Sequence, residues 1–249
     1  MTITNNIKPM SLVTSVLIFG GAALLFYVIQ HYALQPLADL GINYALLLLI
    51  GELPLFLFFF GALYAYRKEG NPWTWQAFFD RFRIYKIKGK FWVWVILIVA
   101  VDVGLYLLVY SVGYPVVKWV HDAFPEPAIM KEIFGDATTF AGYKLAGNWW
   151  LLGLYFVIFF FNILGEEFLW RGYIFPRQEM THGKNTWVVH GLLWTVFHIF
   201  SPYNALMVLP GALFMSWVVQ KYKNTTIFIL SHATLNGLAM IRIISGILG

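Results

Sequence analysis

Apolar residues run through this chain in long, nearly unbroken stretches. They occupy residues 11–33, 43–66, 91–113, 148–168, 187–200, 205–220 and 225–245. A bilayer core of about 30 Å takes about 20 apolar helical residues to cross. The pattern therefore predicts an all-α polytopic membrane helix bundle of about seven transmembrane helices, six to eight being the range. Two runs are short: at the helical rise, 187–200 spans about 21 Å and 205–220 about 24 Å. The uncharged Ser201-Pro202-Tyr203-Asn204 between them reads as a turn. Short helices leave polar ends inside the membrane, so a water-accessible funnel is expected there. The long non-spanning stretch, residues 114–148, holds Val116-Val117-Lys118-Trp119-Val120, an expected short interfacial helix ended by Pro125 and Pro127.

Composition agrees with this pattern. The 249 residues are 60% hydrophobic and 12% charged, with a mean hydropathy of +0.69, values outside the range of soluble domains. With neither repeats nor a linker, residues 1–249 read as a single membrane domain. Cysteine is absent, which removes disulfides, thiolate metal sites and cysteine nucleophiles. The first span lacks a clear cleavage site and is expected to be retained.

The net charge of +5 is distributed unevenly. Lys8, the loop from Arg67 to Lys90, the loop holding Arg171, Arg177 and Lys184, and the pair Lys221 and Lys223 all fall on one side. Lys118, Lys131 and Lys144 fall on the other, and Arg242 lies within the last span. The positive-inside rule then predicts an integral cell-membrane protein with a cytoplasmic N-terminus and an external C-terminus. The basic loops serve topology and lipid headgroups; no nucleic-acid partner is expected.

Against this background, acids stand out. A carboxylate near the centre of a spanning helix costs about 2.5–3.5 kcal/mol on insertion scales. Glu166 and Glu167 end the fourth run side by side, and Arg171 lies four residues after Glu167, on the same helix face. On an α-helix Glu166 points about 100° away from Glu167. Arg171 can hold one acid as an anion and leave the other free for general acid/base work. His190, Trp194 and His198 follow at four-residue spacing, and His232 and Asn236 lie one turn apart beside Ser231. Polar groups on three helices mark a site more strongly than any one of them alone. Glu52 and Asp102 are lone acids, Glu52 structural or pore-lining and Asp102 paired with a neighbour. The chain has neither His-Glu-x-x-His nor Gly-x-Ser-x-Gly, which speaks against a zincin and a serine nucleophile.

Glu166-Glu167-x-x-x-Arg171, then an aromatic-x-x-x-His as Trp194 and His198, then His232-x-x-x-Asn236 resembles the CPBP family, also called the Abi or CAAX-protease family. The resemblance covers residues 148–240, and Trp194 stands where the family commonly has Phe. It implies an intramembrane endopeptidase acting on a peptide or protein substrate at the bilayer. In that reading Glu166 is the general base, His198 holds the same water, and Glu167 with Arg171 sets the charge. His232 and Asn236 would donate to the oxyanion. Glu166, His198 and His232 would suit a divalent metal such as zinc, although a metal-free mechanism needs the same residues; no metal is taken as obligatory. The acids lie at the inner end of span four, so hydrolysis is expected at the cytoplasmic edge. The alternatives are a non-catalytic immunity or adaptor protein of the same fold, a CAAX-type prenyl-protein endopeptidase, and a small transporter built on Glu52, Asp102 and the histidine stripe. The transporter would need inverted repeats, which the sequence does not show.

Overall fold

A computed structural model describes residues 7–249. The extreme N-terminus, whose side of the membrane the charge pattern predicts, lies outside them. Ser11 accepts a hydrogen bond from the Thr14 amide and starts α1, Leu12–Val28. A π-turn, Ile29–Ala33, carries α1 into α2, Leu34–Asp39. Asn43 caps α3, Tyr44–Gly51, which meets α4, Leu53–Lys68, at a 43° bend beside Glu52 and Pro54. The proline supplies no N–H to the turn before it, so the bend forms there. Within the basic loop lies α5, Trp75–Phe82, capped by Thr74. The long helix α6, Trp92–Val112, belongs to the most apolar of the spanning stretches, yet little of it is buried. Its apolar side chains face outward, as a lipid-facing rod requires.

Beyond α6, the expected interfacial helix is α7, Tyr114–Ala123, ending just before Pro125. The helix α8, Ala128–Phe134, and a two-residue hairpin, Thr139–Phe140 with Tyr143–Lys144, complete that segment. The second half begins with α9, Trp150–Glu166, which runs through a π-helical stretch, Glu167–Ile174, into α10, Phe175–His182. The chain then reverses through Gly183–Asn185 into α11, Thr186–Phe197, and a 3-10 turn, His198–Phe200. The reversal follows from two cross-contacts, Gln178 with His190 near the turn and Glu166 with Trp194 farther from it. Two long helices close the bundle, α12, Pro202–Tyr222, and α13, Thr225–Leu248.

Among the described residues, five helical stretches are long and apolar enough to cross a membrane, or six with the bent α3–α4 pair. One of the five, Trp150–Phe200, is the hairpin that holds both the fourth and fifth expected spans. The sixth span is longer than expected. Pro202 occupies the first turn of α12, where its fixed φ suits a helix start, so a residue read as a turn signal opens the helix instead.

The bundle has two chemically different ends. At one, Met10 N–H donates to the Arg177 carbonyl, Arg83 pairs with Glu179 at 2.7 Å, and Thr225 N–H donates to the Arg83 carbonyl. Lys223 also pairs with Glu179. The basic loops thus join on a single face. At the other, Gly147 N–H donates to the Ile247 carbonyl, and Arg242 donates to the carbonyls of Phe134 and Asp136. Arg242, expected within the last span, therefore belongs to this second end. A core of rings lies between, with Phe19 stacked on Trp170 at 4.2 Å and Trp170 against Phe58 and Phe197.

Two close arrangements fix α9 and the basic end. A Cβ on Gly165 would sit 2.5 Å from the Leu55 carbonyl oxygen, because α9 and α4 touch backbone to backbone, as small residues allow between membrane helices. Gly165→Ala is expected to lower stability by about 1–3 kcal/mol, read as earlier unfolding of the purified protein in detergent. At the basic end Arg81 and Arg177 both pair with Glu69. Burial pushes the Glu69 carboxyl up, but the two guanidiniums outweigh it and hold it below the usual glutamate range. A depressed folded value means that this stabilisation is complete above the unfolded value of about 4.3 and is lost as pH falls through the folded one. Detergent melts between pH 7 and pH 3 should show a steeper acid loss for the wild type than for Glu69→Gln.

Candidate active site

The acid pair straddles a change of helix type. Glu166 ends α9 and Glu167 opens the π-helical stretch, a rare geometry often found at functional sites. Arg81 Nη1 donates to the Gly172 carbonyl within it at 2.8 Å. Both acids end inside the bundle, 3% and 0% exposed, rather than one turning away as a continuous α-helix implies.

Each acid has its own donors. Asn162 Nδ2 donates to Glu166 Oε1 at 3.1 Å, and Trp194 Nε1 donates to Glu166 Oε2 at 2.8 Å. An ionised carboxylate oxygen can accept twice, so each keeps capacity for a water. Glu167 Oε1 accepts from Arg171 Nη1 at 3.2 Å and from His232 Nδ1 at 2.9 Å. Glu167 Oε2 and the Nε and Nη2 of Arg171 are buried without hydrogen-bond partners. The guanidinium instead lies over the rings of Trp194 at 4.0 Å and Phe228 at 4.7 Å, an arrangement favoured by their quadrupoles.

The histidine tautomers follow from their neighbours. His198 Nδ1 faces the Trp194 carbonyl at 2.8 Å; a carbonyl only accepts, so Nδ1 carries the proton and Nε2 keeps its lone pair. His232 Nδ1 likewise donates to the Glu167 carboxylate, while its Nε2 accepts from Asn236 Nδ2 at 3.2 Å. The other Asn236 amide hydrogen goes to Asn162 Oδ1 at 2.5 Å. The Trp194 indole stands at the centre, its ring edge-on to His198 at 4.8 Å and to His232 at 6.2 Å. Glu166, Glu167, Arg171, His198, His232 and Asn236 are thereby gathered around one tryptophan.

Other polar positions separate from this group. His190 is fully buried, bonded to Gln178 Oε1 at 2.7 Å and packed on Phe19 and Phe175; it braces α10 against α11. Ser231 bonds back to the Ile227 carbonyl within α13. Asp102 lies against Gly211, its Oδ1 1.8 Å from where a Cβ would be. Asn162 and Trp194 as a donor are the additions the structure makes, while Glu52, expected as structural or pore-lining, does line a cleft.

Among the described residues, no three His, Asp or Glu side chains come together as a metal site. Both ring nitrogens of His232 are already engaged, one donating to Glu167 and the other accepting from Asn236. Glu166, His198 and His232 therefore do not form the open three-donor set that zinc takes, and no step below runs through a metal.

A cleft of about 570 Å³ reaches this group. Asn162, Asn236 and Glu52 line its inner part, while Glu126, Lys131 and Asn204 line its outer part. The funnel expected beside the short return helix is this cleft. It opens on the side of the 114–148 segment, although the acids themselves lie toward the basic end of α9. Toward the basic end, Trp170, Ile174 and Phe175, which follow the acids in the chain, are fully buried. A second groove, about 870 Å³, lies among Phe59, Trp73, Trp75, Phe78 and Phe168; it carries no charge and shares no lining residue with the cleft.

Comparison with known families finds one similarity, over part of the second half of the chain. The family model for type II CAAX prenyl endopeptidases of the Rce1-like kind matches residues 148–238. Over these residues the chain is similar to the Rce1-like type II CAAX prenyl endopeptidases. That similarity supports a CAAX-type intramembrane endopeptidase in general terms. No curated protein and no solved structure matches the chain. The Rce1-like stretch starts just before α9 and ends inside α13, so it contains every residue of the acid–histidine–asparagine group.

The Glu167–Arg171 pair is wholly buried. Removing one member leaves an uncompensated charge and is expected to cost about 3–5 kcal/mol. Arg171→Met and Glu167→Gln should each melt earlier in detergent. The double variant should recover part of the loss, and strict additivity would rule out the coupling.

Proposed function

We propose that the protein hydrolyses a peptide bond of a membrane-associated peptide or protein, using a water activated by Glu166 and His198. The observation that carries this reading is the convergence of Glu166, His198 and His232 on the one indole of Trp194, at the inner end of a polar cleft. One hydrogen of the water would go to Glu166 and the other to His198 Nε2, whose lone pair is left free by the bond to the Trp194 carbonyl. As the water oxygen attacks the carbonyl carbon, Glu166 takes its proton. The carbonyl oxygen becomes an oxyanion and competes for the Asn236 N–H groups now held by Asn162 and His232. Collapse breaks the C–N bond, and the proton on Glu166 passes to the leaving amine. Asn162 and Trp194 keep the carboxylate oriented throughout, Arg171 balances the charge of Glu167, and the His232 Nδ1–H donates to it.

The family's prenyl-protein activity is a narrower reading. The apolar groove would suit an isoprenoid, but it shares no wall with the cleft, so we assign the peptide and not a lipid chain to the reacting site. A non-catalytic immunity role would need none of the proton transfer.

In nanodiscs, with a peptide library as substrate, Glu166→Gln is expected to lose about 10²–10⁴-fold in turnover and Asn236→Ala about 10²–10³-fold. A folded Glu166→Gln protein that cleaves at the wild-type rate would refute the hydrolytic reading. If the same variant fails to cleave yet still protects cells, the cellular role is binding.

A further inference from the structure

The two ends of the bundle differ in charge as well as in access to the site. Twelve of the 17 Lys and Arg residues lie in the segments of one end, while Arg171 is buried in the bundle, and contacts among Arg83, Arg177, Glu179, Lys223 and the Lys8 backbone show those segments to share a face. By the charge rule for membrane loops that face is cytoplasmic. On that side the residues that follow the acids are packed away from solvent. Trp170, Ile174 and Phe175 are fully buried, as is Glu167. Arg81 is tied at once to Glu69 and to the Gly172 carbonyl, and Glu69 also holds Arg177.

The cleft lies at the opposite end. Its outer part is made by α8 and the start of α12, where Ser201 donates to Glu126 at 3.0 Å. His31 Nε2 meets the Phe200 carbonyl at 3.3 Å, which ties the His198 turn to the mouth. The walls bring carboxylates (Glu52, Glu126), an ammonium group (Lys131) and amides (Asn162, Asn204, Asn236). Such a lining matches the alternating donors and acceptors of an extended peptide backbone and is costly for a hydrocarbon chain to cover.

We infer that the reacting site opens to the extracytoplasmic face, and that its substrate is an extended polypeptide segment presented from that face, as on an exported or outer-leaflet-anchored chain. The word substrate rests on the hydrolytic reading; the direction of opening does not.

The native chain has no cysteine, so single cysteines report without background. Lys131 and Asn204, at the mouth, and Lys88, in the basic loop, are all exposed. In intact cells a membrane-impermeant maleimide should label Lys131→Cys and Asn204→Cys, whereas Lys88→Cys should react only after permeabilisation. The reverse pattern, or mouth cysteines that react only after permeabilisation, overturns the proposed opening. In proteoliposomes whose orientation is set by the same labels, library peptides should be cleaved only when added on the Lys131 side. Cleavage from the Lys88 side overturns the inference. Absence of cleavage from both sides counts against hydrolysis alone, since the labelling pattern decides the sidedness independently.

Discussion

A charged carboxylate persists inside an apolar bundle only where protein groups replace the water it has lost. This constraint organises the second half of the chain. Glu166 draws on Asn162 from its own helix and on Trp194 from α11, and Glu167 draws on Arg171 and on His232 from α13. Lipid tails are as apolar as leucine, so burial of hydrocarbon gives membrane helices little reason to choose one register over another. Hydrogen bonds that must be made supply the choice. Three helices are set in rotation and depth by four donors to two neighbouring acids, and the π-helical stretch at Glu167 lets successive residues both face those donors.

The ion pair is a poor candidate for a source of stability. Desolvation of a buried pair can equal or exceed its Coulombic gain, and Glu167 Oε2 with two Arg171 nitrogens lacks hydrogen-bond partners. Its value lies in position. The guanidinium rests on Trp194 and Phe228, while the carboxylate fixes the His232 tautomer. The indole that supports the cation also donates to Glu166. The charge-balancing pair and the proposed base are consequently linked through one side chain, which a phenylalanine at that position would leave without its N–H donor.

Much of this was legible from spacing and cost. Four-residue intervals placed Arg171 with Glu167 and Asn236 with His232, and the expense of intramembrane acids pointed to the region. The same spacing misgroups His190, because periodicity reports a helix face and not what lies opposite; the opposing group there is Gln178 from α10. Asn162 stands four residues before Glu166, a signal of the same kind that drew no attention beside the charged residues. Pro202 shows that a helix-opening proline and a turn proline look alike until the flanking backbone is known. The helix α5 was hidden in a basic loop whose charge dominated its pattern. Direction of access was not legible at all, since it depends on how Trp170, Ile174 and Phe175 pack against elements distant in sequence.

The position of His198 joins the mouth of the cleft to its chemistry. The helix α11 stops one residue short of His198, and the ring sits in a 3-10 turn instead of on a regular helix. That turn is held at one end by the Trp194 carbonyl, beside the proposed base. At the other it is held by the Ser201–Glu126 bond and the contact of His31 with the Phe200 carbonyl, both at the opening. A short 3-10 turn has poorer hydrogen-bond geometry than an α-helix and yields more readily. A polypeptide entering between α8 and α12 must pass Glu126 and Ser201 before it reaches Asn236. The contacts it disturbs on the way are those that set the His198 ring, so occupation of the mouth and alignment of the water-binding nitrogen are mechanically connected.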